Sequence, residues 1–136
     1  MERKVDVAII GAGSAGLTAT STVRRYTDSF VLIDGGELGT TCARVGCMPS
    51  KAVIQVAEDL HRRGALAREG IEGGDGLTVD MPEAMEHVRH LRDHFVDQVL
   101  ATSIDQMDEE QFIAANAFFL GPTLLQVGEH QIRADK

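Results

Sequence analysis

The segment Gly11-Ala12-Gly13-Ser14-Ala15-Gly16 constrains the fold more than any other part of this sequence. It follows directly on Val5-Asp6-Val7-Ala8-Ile9-Ile10, a short apolar run rich in β-branched side chains, as in a buried parallel strand. Residues 17–26 can then form a helix, weakened in propensity by Thr18, Thr20, Ser21 and Thr22. A second apolar run, Phe30-Val31-Leu32-Ile33, closes on Asp34. Strand, glycine turn, helix and strand in this order make a βαβ unit.

Three glycines at this spacing meet a specific demand. Gly11 permits the tight turn out of the strand, Gly13 lets a pyrophosphate approach the backbone, and Gly16 lets helix and strand pack closely. The helix start at Ser14 and Ala15 supplies unpaired N–H groups and a partial positive charge. Asp34 ends the next strand eighteen residues past Gly16, where an acid can accept hydrogen bonds from an adenosine ribose. The bland alternative is a tight turn in some other α/β protein. The motif does not choose between FAD and NAD.

Residues 35–41 are a Gly- and Thr-rich loop, and the sequence predicts helix from Cys42 or Ala43 towards Ala67. Four glycines between positions 70 and 76 mark a connector. Pro82 suits the first turn of a long helix, where Met85, Val88, Leu91, Phe95 and Val99 form one apolar stripe. Residues 112–120 and 123–127 read as strands, with residues 131–134 as the return strand of a hairpin after Gly128-Glu129. His87, His90 and His94 share a side of their helix away from the stripe, which is better explained by a solvated face than by a metal.

A formal charge of −8 argues against a nucleic-acid or anionic-membrane surface. The N-terminal apolar run is interrupted by Asp6 and ended by glycines before a signal-peptide core accumulates, and no stretch is long enough to span a bilayer. A cytoplasmic location is expected, where thiols stay reduced unless they serve redox or metal chemistry.

Cys42 and Cys47, in Thr41-Cys42-Ala43-Arg44-Val45-Gly46-Cys47-Met48-Pro49-Ser50-Lys51, are the only two cysteines. Two thiols at this spacing do not make a usual zinc site, and a structural disulfide disagrees with a reducing compartment. Inert buried cysteines remain open, although they leave Gly46, Pro49 and Lys51 without a purpose. In a regular helix, residues five apart have Cα atoms about 8.7 Å apart, beyond the roughly 7 Å that a disulfide tolerates. A redox pair therefore requires the helix to be distorted or to begin between them, which Gly46 eases.

Together the glycine motif, Asp34 and Gly39-Thr40-Thr41-Cys42 through Lys51 resemble the start of the flavin-dependent pyridine nucleotide–disulfide oxidoreductases, most of all dihydrolipoamide dehydrogenases. The resemblance implies an α/β, Rossmann-like FAD-binding domain: a parallel sheet with the glycine-rich βαβ start plus a β-hairpin or meander, incomplete over residues 1–136. It assigns FAD to the glycine motif. It makes Cys42 the interchange thiol and Cys47 the charge-transfer thiolate against the flavin, and sets Lys51 beside the flavin ring. Gly35, Gly39, Thr40 and Thr41 would line the FAD, and the backbone of Ala117 would meet its adenine. Two departures stand out: Thr40 replaces a usual second glycine, and Ala43-Arg44 replaces the Leu-Asn typical of dihydrolipoamide dehydrogenases.

By the same resemblance, the NAD or NADP site, the rest of the FAD site and the dimer-interface domain lie outside this segment, and the parent protein is a homodimer. The implied activity passes electrons between a small dithiol such as dihydrolipoamide, the Cys42–Cys47 pair, flavin and NAD. Mercuric or another disulfide reduction is the alternative within the family, and a non-catalytic nucleotide-binding module the alternative outside it. The segment alone is expected to bind FAD weakly and not to turn over.

Overall fold

The computed structural model describes residues 2–136. They fall into two compact units, one running up to Thr41 and resuming over Asp97–Lys136, the other Cys42–Val96.

In the first unit, strands β1 (Glu2–Val5), β2 (Val7–Ile10) and β3 (Phe30–Ile33) frame helix α1 (Ser14–Val23). Strands β4 (Phe112–Ile113), β5 (Ala117–Gly121), β6 (Leu124–Val127) and β7 (His130–Ala134) follow late in the chain. They form an all-parallel sheet in the order β2-β3-β4 and a mixed sheet in the order β1-β7-β6-β5. This is the α/β fold with a glycine-led parallel start that the sequence implies.

The centre of the parallel sheet is β3, whose Phe30, Val31, Leu32 and Ile33 are all fully buried. Each such side chain contributes about 1.5–3 kcal/mol of burial free energy. Val31 and Ile33 join Val5, Leu125, Val127 and Ile132 in one core cluster. The weak helix α1 gains internal bonds from its hydroxyls: Thr18, Thr20 and Thr22 each donate to the carbonyl four residues back, at 2.8, 2.9 and 3.2 Å.

Two expected strands are each divided. The run 5–10 breaks at Asp6, whose N–H bonds to Ser29 O at 2.8 Å, and the chain passes there from the mixed sheet to the parallel one. The run 112–120 breaks at residues 114–116 for the same reason, β4 belonging to one sheet and β5 to the other. The β6–β7 hairpin turns at Gly128, with φ +55°.

The cysteine segment is two helices, α2 (Thr41–Val45) and α3 (Cys47–His61), followed by α4 (Arg63–Leu66) and a 3-10 turn at Ala67–Glu69. The single helix expected towards Ala67 is thus divided at Gly46 and Arg62. Helix α5 (Met81–Ala101) carries Pro82 in its first turn, as expected. Val88 is buried on its apolar stripe, while His87, His90 and His94 are exposed on other faces. Among the described residues, no helix is long and apolar enough to cross a membrane.

Candidate active site

The glycine turn is built by backbone. Gly11 takes φ +99°, a region that disfavours side chains, and its N–H bonds to Ile33 O at 2.7 Å, tying the turn to β3. Gly16 sits so close to this turn that a Cβ there would run into the Gly11 carbonyl oxygen. A Cβ on Gly13 would meet nothing within 4 Å, so the backbone there faces open space. Gly13 is also the N-cap of α1, with no side chain capping the helix and no acid in its first turn. The leading N–H groups, beginning at Ser14 and Ala15, are therefore left for an anion.

Asp34 does more than the sequence motif states. One carboxylate oxygen accepts the N–H of Ala12 at 2.5 Å, and the other accepts that of Gly36 at 2.7 Å. The side chain thereby joins the glycine turn to the loop after β3. A carboxylate has about four lone-pair sites, so two remain for the paired hydroxyls of a ribose. The open backbone at Gly13, the uncapped helix start and these spare acceptors together fit the adenosine diphosphate half of FAD.

The rest of that rim comes from the loop and from a residue that motif reading passed over. Gly35 is packed against Asn116: a Cβ there would lie 2.5 Å from the Asn116 side-chain oxygen and 2.8 Å from its backbone nitrogen. Asn116 immediately precedes Ala117, the half-buried first residue of β5. The Asn-Ala-Phe-Phe run was the available signal for it, but only the fold brings it to Gly35. Gly39 and Thr40 are buried, with φ +105° and +63°. Thr40 therefore holds the left-handed conformation that a glycine would take without strain, at a cost of about 1–3 kcal/mol for a β-branched residue. Thr41 is exposed and opens α2.

The cysteines lie in the second unit. Gly46, at φ −127° and ψ −116°, breaks the helix between them, and α3 starts afresh at Cys47. Both thiols are free, Cys42 half-buried and Cys47 exposed. The Cys42 thiol is hydrogen-bonded to Cys47, and this bond is the main cause that raises its pKa. Burial and negative charge on Cys47 raise it further, while the backbone N–H of Cys47 and, more weakly, the Lys51 ammonium pull it the other way. The helix interruption has thus brought together two sulfurs that a regular helix would separate, with a cation in electrostatic reach of Cys42. The hydroxyl of Ser50 secures the restart by donating to Cys47 O at 2.9 Å. Such a pair of adjacent thiols can exchange two electrons by closing and opening a disulfide.

Comparison with known proteins bears on what this combination is. A family profile described as pyridine nucleotide-disulphide oxidoreductase matches residues 5–132. The chain belongs to that family. Its fold is that of the FAD-binding domain of these oxidoreductases. Within the pyridine nucleotide-disulphide oxidoreductases, a mercuric reductase from Streptomyces lividans is 32% identical over 126 residues, 90% of this chain and 26% of that protein. A dihydrolipoyl dehydrogenase from Vibrio cholerae is 29% identical over 129 residues, 93% of this chain and 26% of that protein. The structure of a Cu(II) complex of the HOCl-induced flavoprotein disulfide reductase RclA from Escherichia coli shares the fold. Its TM-score is 0.66 at 22% identity, over 94% of this chain and 26% of that one. This chain therefore spans about a quarter of the length of the relatives it matches.

Proposed function

We propose that residues 1–136 are the N-terminal part of the FAD-binding domain of a dithiol–disulfide oxidoreductase in which Cys42 and Cys47 are the redox pair. The observation that carries this reading is the hydrogen bond between the two thiols across a helix broken at Gly46. A nucleotide-binding module without redox chemistry has no need of that arrangement.

In this reading Gly13, Ser14, Ala15 and Gly16 hold the pyrophosphate by backbone N–H groups, and Asp34 accepts the ribose hydroxyls. The loop Gly35–Thr41 and the Ala117 backbone line the nucleotide. Bound flavin supplies a two-electron carrier between the cysteines and a nicotinamide nucleotide, NAD or NADP. The residues' own share is thiol exchange. A substrate thiolate attacks the sulfur of Cys42 in the Cys42–Cys47 disulfide, forming a mixed disulfide and releasing Cys47 as a thiolate. The second substrate thiol then displaces Cys42, so that the substrate leaves as a disulfide. The substrate has lost two electrons to the protein pair and two protons, one taken up by Cys42 as a thiol and the other by solvent, while Cys47 remains a thiolate. The Lys51 charge favours the thiolate state of Cys42.

Dihydrolipoamide with NAD is the first substrate pair to assay. Similarity to a mercuric reductase at 32% identity supports a second reading, reduction of a thiol-bound metal ion or another disulfide. The pair is tested by equilibrating the protein with mixtures of lipoamide and dihydrolipoamide and measuring the Cys42–Cys47 disulfide by mass after alkylation. A reversible intramolecular disulfide is expected, and its absence at every ratio sinks the reading. For the protein in its longest natural form, lack of turnover with dihydrolipoamide and NAD, alongside NADPH-dependent reduction of another acceptor, removes lipoamide.

A further inference from the structure

We infer that the cavity between the cysteine turn and helix α5 receives the anionic end of a small aliphatic dithiol or disulfide, with Arg89 as its principal cation. This inference rests on the dithiol–disulfide reading above and narrows its substrate class.

The cavity lies wholly within the Cys42–Val96 unit and has a volume of about 370 Å³. That is the size of a small-ligand site. Its apolar side is made by Val45, Pro49, Val53, Met85 and Val88. Val45 and Val53 are 69% and 40% exposed, so this apolar surface is open rather than closed over by the chain's own packing. Gly46 is part of the lining, which puts any occupant against the backbone that separates the two cysteines.

The polar side is one-signed. Arg44, Arg89 and Arg92 line the cavity, together with Ser50, and no carboxylate does. In a chain of net charge −8 this runs against composition. Three other cavities each carry acids: Glu72 and Asp75 in one, Glu2, Glu109 and Glu110 in another, Asp135 in a third. The pattern is helical: Met85, Val88, Arg89 and Arg92 are spaced by three and four along α5 and share one face, half apolar and half cationic.

The three arginines differ in availability. Arg92 is bound to Asp93 at 2.7 Å, and Arg44 has an interaction within the protein. Arg89 has no hydrogen-bond or ion-pair partner among the described residues. A guanidinium recognises a carboxylate through two parallel N–H bonds. An apolar floor ending in a free guanidinium thus fits an aliphatic chain that ends in a carboxylate. The occupant this selects is an acid, in preference to the neutral amide of lipoamide.

Oxidised lipoate and lipoamide share a dithiolane ring and chain and differ at the terminal carboxylate or amide, so they isolate the charge. Titrated into the ¹⁵N-labelled protein, lipoate is expected to shift the amides of Val45, Gly46, Ser50 and Arg89. It should bind about fivefold more tightly than lipoamide, as a part-exposed ion pair allows. Arg89→Gln should bring the two ligands to near parity, with an unchanged circular dichroism spectrum establishing that the variant is folded. Equal binding of the two ligands to the native protein, or a preference that survives in Arg89→Gln, overturns the inference. A reversible Cys42–Cys47 disulfide with no lipoate preference sinks this inference alone. The preference without a reversible disulfide sinks the redox reading, and with it the dithiol as substrate, and leaves Arg89 only as a carboxylate-binding cation.

Discussion

Replacing Gly16 and Gly13 by alanine, one at a time, separates the two duties of the glycine turn. A Cβ on Gly16 would run into the Gly11 carbonyl oxygen and lie 2.9 Å from the carbonyl carbon. The Gly11 backbone cannot easily yield, because its N–H is held by Ile33 O at 2.7 Å on the fully buried strand β3. Forcing a methyl group into packed surroundings costs about 1–3 kcal/mol, and alanine's better helix propensity returns about 1 kcal/mol. Since the obstruction is backbone rather than a movable side chain, the upper part of the range applies, for a net loss of about 1–2 kcal/mol. With a urea dependence of about 1–3 kcal/mol per molar for a small protein, the midpoint should fall by about 1 M. Gly13→Ala meets nothing within 4 Å and has an ordinary φ of −75°, so its stability should stay within about 0.5 kcal/mol of the native protein. In the proposed function its methyl group instead occupies the space through which a pyrophosphate would approach, and FAD affinity should drop by about tenfold or more. Urea titration followed by far-ultraviolet circular dichroism suits a chain without tryptophan, and flavin fluorescence quenching reports binding. A Gly16→Ala protein as stable as the native one, or a Gly13→Ala protein destabilised equally, would refute this division of labour.

Asp34→Asn keeps the shape of the side chain but turns one acceptor into a donor, so either Ala12 or Gly36 loses the partner for its N–H. Loss of one charge-assisted bond costs about 1.5–3 kcal/mol, and a urea midpoint indistinguishable from native would contradict the stapling role of Asp34. Cys47→Ala removes the hydrogen bond that chiefly raises the pKa of Cys42, along with the negative charge that adds to it. A lowered pKa means more thiolate at any given pH below full ionisation, so the pH profile of Cys42 alkylation by iodoacetamide should move to lower pH. A profile that stays in place or moves upward would rule out the thiol pair as the cause.

Much of this architecture is readable from local pattern. The run Phe30-Val31-Leu32-Ile33 is apolar at every position because β3 is covered on both faces, and its bounds in the structure match the run. The stripe of α5 and the hairpin turn at Gly128 are equally local signals. The two divided strands are not. Val5 and Val7 are similar residues in one apolar run, yet Val5 pairs with Ala134 and Val7 with Phe30. Sheet membership depends on partners distant along the chain, and periodicity carries no information about them.

The site divides in the same way. By itself the sequence determined the glycine turn, the acid at the strand end and two cysteines too far apart for a regular helix to join, because each follows from residue type and spacing along a short stretch. Only the tertiary structure decided that Asp34 ties the turn to Gly36, that Asn116 closes on Gly35, and that Arg44, Arg89 and Arg92 share one cavity free of acids. These are meetings between segments separated by tens of residues. They arise from packing and from the need to pair buried polar groups, which no short stretch of sequence records.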